Sequence, residues 1–327
     1  MKLRLLKLCL IVTFVAAVLG GCTHFGKYSE PNDRRLISVM GFDSVGEKIR
    51  VVAEALEWSE NEGTKPYLIA ADGDTVHEGL SRLSAKSSRA LSFTHCSALI
   101  LGEDLTPQQI DDILKYCADE KKISLSAKVI STSKAEELLS LTTDTAVSTG
   151  FEISDITDQT AEKFGYAGHT ALYEIITARM QTLNAYALPY FDEKDEKPSL
   201  QGLRVYVNDK HIAILNGEQS LSYAVLRNVF DGGEFFYKGR GYHLNSASVK
   251  IKADFENDML LLEIFISSDP KNQELSLSVR ELVNSFNTDI FGIANVIEAR
   301  YSEIWNKVKD NYDGYYKNAR ITFNTDG

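Results

Sequence analysis

RLISVMGFDSVGEKIRVVAEALEW, residues 35–58, decides the fold class. Two apolar runs, Arg35 to Phe42 and Glu47 to Trp58, flank Asp43-Ser44-Val45-Gly46, a short loop containing glycine. That spacing predicts a β-hairpin. In the second run Ile49, Val51, Ala53 and Ala55 share one side, as in a strand with one buried face.

Working outward, the chain alternates strands and helices. Asp72 to Arg89 reads as a helix opened by the capping-box pattern Thr75-Val76-His77-Glu78. Leu91 to Gly102 (LSFTHCSALILG) reads as one buried strand. Thr106-Pro107-Gln108-Gln109 supplies an N-cap, a proline at the first helical position and a glutamine three residues on. Ile110, Ile113, Leu114 and Cys117 then keep helical rhythm. Lys122 to Ile130 is the next strand, and Ser133-Lys134-Ala135-Glu136 is a further capping box before Leu138 and Leu139. The expected order is β-β-α-β-α-β-α, an N-terminal α/β domain over residues 34–148.

Residues 149–197 form a small middle segment or domain with one helix, around Thr170 to Leu183. The charge run Asp192 to Lys197 reads as an exposed loop and places a domain boundary near Lys197. In the C-terminal domain, 198–327, Leu203–Val207 and His211–Leu215 flank the hairpin signature Asn208-Asp209-Lys210. A helix over Glu218–Phe230 follows, with turns at Gly232, Gly233, Gly239 and Gly241. Long strands over Leu244–Phe255 and Met259–Ser267 meet at Glu256-Asn257-Asp258, helical material fills Leu275–Asp310, and a last strand spans Ala319–Phe323. The fold class is therefore α+β, with two to three domains of mixed sheets covered by helices and a mostly antiparallel C-terminal sheet.

The other end of the sequence carries an address. Lys2, Arg4 and Lys7 precede an uncharged, mostly apolar stretch from Leu8 to Leu19. A basic start, a short apolar core and a small-residue boundary mark a secretory signal, here residues 1–21. Its core falls short of the ~20 apolar residues that span a bilayer. Leu19-Gly20-Gly21-Cys22 resembles a bacterial lipobox, which predicts a diacylglyceryl group on the Cys22 thiol and a polar tether over residues 22–33. Two acyl chains hold a membrane stably where one does not.

Charge and cysteine count narrow the function. A net charge of −11, without a basic stripe, argues against nucleic acid as partner and against adhesion to anionic lipid. With 44% hydrophobic residues the chain has material for real cores. Beyond Cys9 and Cys22, only Cys96 and Cys117 remain, and neither has a zinc-ligand spacing. His95-Cys96 pairs residue types that can make a nucleophile, but neighbours on a strand point to opposite faces. His77-Glu78 lacks the second histidine of HExxH. Asp289 reads as the cap of the next helix, and Trp305, Tyr312, Tyr315 and Tyr316 as core aromatics. No phosphate loop, nucleophile elbow or metal spacing occurs, so no catalytic, cofactor or metal residue is assigned.

Four blocks, in order, carry a family resemblance: RLISVMGFDSVGEKIRVVAEA, LSFTHCSALILGEDL, KKISLSAKVISTSKAEELL and TDIFGIANVIEARYSEIWNKVKDNYDGYYKNARITFNTDG. The sequence resembles the Ger(x)C spore germination lipoproteins, the C subunits of nutrient germinant receptors. That resemblance implies a non-enzymatic lipoprotein on the outer face of the spore's inner membrane. Its partners would be membrane-embedded A and B subunits, and its role assembly and signalling. The alternative is a solute-binding lipoprotein of a transporter, which would show repeated β-α-β units in two lobes. A cell-envelope hydrolase would need a spacing that selects an acid pair, and none does.

Overall fold

In the computed structural model, which describes residues 34–59, 63–119, 123–141, 148–164 and 171–325, the opening hairpin forms as expected. Strands β1 (Arg34–Val45) and β2 (Lys48–Ser59) pair antiparallel, turning at Gly46, whose φ of +63° suits glycine. Strand β3 (Gly63–Gly73) then extends the sheet on the far side of β2. It has no clean alternation and it contains Pro66, which an edge strand tolerates because one row of its N–H groups bonds nothing. The expected helix is consequently shorter: α1 covers Val76–Ala85, because Asp72 and Gly73 belong to β3.

The expected strand over 91–102 is two strands. β4 (Ala90–Ser92) and β5 (Ala98–Gly102) are separated by a turn at Thr94-His95. β5 lies parallel between β1 and β6 (Lys128–Thr132), connected through α2 (Pro107–Asp119). In α2 the capping box forms: the Gln109 N–H donates to Thr106 Oγ1 at 3.2 Å, and the Thr106 N–H to Gln109 Oε1 at 2.9 Å. Helices α3 (Ala135–Leu139), α4 (Thr149–Phe164) and α5 (Leu172–Arg179) follow. Of these, α4 has no counterpart in the sequence reading.

Strands β7 (Ala185–Lys194), β8 (Lys197–Val207) and β9 (Lys210–Leu215) complete a nine-stranded mixed sheet ordered β3-β2-β1-β5-β6-β7-β8-β9, with β4 on β1. The charge run at 192–197 is therefore a hairpin with a two-residue turn. Asp195 and Glu196 take φ of +55° and +62°, and the strands run on past either side. A boundary at Lys197 would cut this hairpin, so the sheet, unlike the expected division, is continuous through that point. Its thinnest line is β6 to β7, registered through one pair, Ser131 with Tyr190.

Both faces of the sheet are buried around β1 and β5. Ile37, Phe42, Leu99 and Leu101 face α1, α2 and α5, whereas Val39, Val52, Ala98 and Ile100 pack with Leu138, Leu139 and Ile153 of α3 and α4. β8 is shared in the same way: Leu203, Val205 and Val207 join the C-terminal core, and Tyr206 joins the first.

That C-terminal core gathers α6 (Gly217–Leu226) and a hairpin of β10 (Gly233–Tyr237) and β11 (Arg240–Leu244). It also gathers a sheet of β12 (Ser246–Glu256), β13 (Met259–Asp269) and β14 (Arg320–Thr325). β12 and β13 are antiparallel, as expected, through Asn257-Asp258, but β14 joins β13 parallel. Between them run α7 (Gln273–Asn284), α8 (Ile293–Arg300), α9 (Ser302–Val308) and α10 (Tyr312–Lys317). β12 alternates strictly from Ala247 to Ile251, the signature of a strand with one wet face.

Candidate functional site

Open parallel sheets bind ligands beyond the carboxyl ends of their strands, so charged groups at the ends of β1, β5 and β6 are the first place to look. Asp43, at the end of β1, is buried, and its oxygens accept the Ala135 N–H at 2.8 Å and the Glu136 N–H at 3.0 Å. It caps α3. The capping box expected from Ser133 does not form; Lys134 precedes the helix without a side-chain bond to its N–H groups, and the Ser133 hydroxyl reaches Tyr190 and Asp192 instead. Arg50 grips Glu136 with two bonds, at 2.7 and 3.0 Å, and Asp72 with a third at 3.1 Å. Lys134 pairs with Asp104.

Glu54 repeats the device on the same face of the sheet, one strand over. At 1% exposure it accepts from the Ser38 hydroxyl at 2.6 Å and the Thr149 N–H at 3.0 Å, with the Gly150 N–H at 3.4 Å. Helix α4 is thus capped by a residue of β2.

Arg204 is the largest fully buried side chain. From β8 it reaches across β7, donating to the Thr132 carbonyl at 3.0 Å and Glu103 at 3.0 Å while stacking 4.4 Å from the Tyr190 ring centroid. It fastens the thin β6–β7 line. Nearby, Arg179 of α5 bridges Asp111 of α2 and Asp209 of the β8–β9 turn, and the Tyr186 hydroxyl donates to Asp209 at 2.8 Å. Burial opposes the Arg179 charge, but its bonds to Asp209 and Asp111 outweigh that and raise its pKa.

The residues singled out by pattern are not brought together. His95 is exposed in a turn, while Cys96 is 3% exposed with its Sγ 3.3 Å from the Ala98 carbonyl. Both Cys96 and Cys117 are free and buried. Burial pushes the Cys96 thiol up to about 12 and Cys117 up as well, so neither supplies a thiolate at neutral pH. Glu78 bonds the Asp74 N–H and Arg82. Asp289 does cap α8, accepting the Ala294 N–H at 2.8 Å, with the Phe291 N–H at 3.0 Å and the Tyr312 hydroxyl at 2.9 Å. Tyr312 and Tyr316 are core; Trp305 and Tyr315 pack partly buried against it. Cys22 lies outside the described residues.

Among the described residues no cluster of three His, Cys, Asp or Glu is placed to hold a metal ion, and no helix is long and apolar enough to cross a membrane. Asp43, Glu54 and Arg204, which no sequence pattern marks, hold elements together. They act across the sheet, so a local motif cannot announce them.

Residues 27–193 match the model described as the spore germination protein N-terminal domain, and residues 271–327 match spore germination B3/GerAC like, C-terminal. No curated protein matches. Among solved structures, the crystal structure of the GerBC protein shares the fold at 14% identity and a TM-score of 0.56, covering 88% of this chain and 95% of that one. With more than half of its length under the N-terminal match alone, the chain belongs to the Ger(x)C spore germination family.

Proposed function

We propose that this chain is the C subunit of a nutrient germinant receptor. In this reading it is a non-catalytic lipoprotein held by diacylglyceryl Cys22 on the outer face of the spore's inner membrane. There it works in assembly and signalling with membrane-embedded A and B subunits. The family match over residues 27–193 carries the reading. The site chemistry is consistent with it, because the buried ionic groups described above are committed to capping and cross-bracing.

The anchor follows from Leu19-Gly20-Gly21-Cys22. With a net charge of −11, the chain gains little from anionic lipid, so the acyl chains must do the holding. A tether over residues 22–33 behaves as a coil reaching roughly 15–20 Å, which keeps the folded body beside the bilayer.

The test is genetic. In a strain with no paralogous receptor, deleting the gene abolishes nutrient-triggered germination, and Cys22→Ser moves the chain from the membrane to the soluble fraction. Normal nutrient germination after deletion would overturn the reading.

A further inference from the structure

A cleft of about 300 Å³ opens between the C-terminal end of α6 and helix α8. Its polar lining is two arginines, Arg227 and Arg300, with Gln181, Asn228 and Asn295; no carboxylate lines it. Val249, Ile251 and Val296 form part of its apolar wall.

The arginines lack acidic partners among the described residues. Arg227 donates Nη1 to the Phe291 carbonyl at 2.9 Å, and the rest of its guanidinium is uncommitted. Gly292 makes room for it: at φ +75°, a β-carbon there would stand 2.3 Å from Nη1. The guanidinium thus occupies the space that a β-carbon at position 292 would take. Arg300, exposed on α8, makes no side-chain bond or ion pair with the described residues. Nearby acids face elsewhere. Asp289 points at Ala294, Phe291 and Tyr312, and Glu298 at Thr182, while Glu174 lines a neighbouring cleft that Arg227 also borders and bonds Ala171 and Tyr173.

The amides are spent on framework. Asn228 pairs with both backbone groups of Val249, and Asn295 bonds Gln181 and both backbone groups of Leu183. What remains on the lining is two arginines together with Val249, Ile251 and Val296. In a chain of net charge −11, two uncompensated cations on one small cleft call for a counter-anion.

We propose that this cleft binds a small amphiphilic carboxylate, its head on Arg227 and Arg300 and its apolar body against Val249, Ile251 and Val296. A planar, singly charged head suits guanidinium forks, whereas a phosphate would look for more donors than the committed amides leave. The volume sits at the small end of ligand sites, which limits the occupant to a compact molecule.

Saturation-transfer NMR on the purified full chain, with hexanoate as probe, tests this. Wild type shows transfer from hexanoate and none from hexanol. Arg227→Gln and Arg300→Gln each weaken binding about tenfold, the worth of one charge-assisted contact. Arg300 is exposed, so its variant keeps the fold, checked by unchanged circular dichroism. Absence of hexanoate transfer in wild type, or equal binding by Arg300→Gln, overturns the assignment. So does displacement of hexanoate by inorganic phosphate or by phosphatidylglycerol vesicles at lower concentration than hexanoate itself, which would give the cleft to a phosphate group. None of these outcomes bears on the germination reading, which rests on the family match.

Discussion

The nine-stranded sheet and the three-stranded C-terminal sheet are held by different means. In the large sheet, strands around β1 and β5 are covered on both faces, and charged side chains enter the interior as fasteners: Asp43 and Glu54 cap helices far along the chain, and Arg204 crosses β7. In the small sheet, β12 and β13 alternate buried and exposed residues, and its nearby helix cap, Asp289, serves a helix that starts a few residues on. A sheet with one wet face can specify its packing by alternation; one buried on both sides needs polar anchors to fix which helix lies where.

The comparison can be broken most directly at Arg204. Arg204→Ala leaves the Thr132 carbonyl without its donor and a cavity beside Tyr190, and should cost about 3 kcal/mol in urea unfolding. A loss below about 1 kcal/mol would mean that the β6–β7 line does not depend on it. Glu54→Ala comes next, at about 2 kcal/mol, because it orphans the first N–H groups of α4; hydrogen exchange in Thr149–Phe164 should rise more than elsewhere.

Smaller effects sharpen the contrast. Thr106→Ala removes one exposed cap and should cost about 1 kcal/mol, measured the same way. Asp289 adds a pH signature. Burial holds its pKa above the usual carboxylate value, although the Ala294, Ile293 and Phe291 N–H groups and the Tyr312 hydroxyl favour its charge. The folded state therefore keeps that proton more tightly than the unfolded chain. Its contribution is full below an ordinary aspartate pKa of about 4 and is lost as pH rises through the raised value. Asp289→Asn should flatten that decline in a stability-against-pH series, and an unchanged slope would remove Asp289 as its source.

What was legible in the sequence is what is chemically local. The hairpins at Asn208-Asp209 and Asn257-Asp258 are visible because those residues tolerate positive φ, here +51°, +59°, +49° and +61°. The Thr106–Gln109 box is visible because both partners sit within one turn. Strand β3 hides behind Pro66 and an exposed edge, and α4 behind β-branched residues and a cap supplied from β2. The stretch 192–197 looked like a loop because charge dominates its composition, yet the ladder runs up to a two-residue turn at Asp195-Glu196. Arg227 and Arg300 lie far apart in the chain, and only the packing of α6 beside α8 brings them to one cleft.

The single bridge between Ser131 and Tyr190 has a mechanical meaning for the sheet. When stress crosses a pleated layer, it gathers where the fewest bonds share it, and the ladders on either side run to five pairs in β5–β6 and ten in β7–β8. The layer should yield first along that line, with the Arg204 guanidinium as its rivet, leaving two stiff leaves that pivot without either one losing its shape.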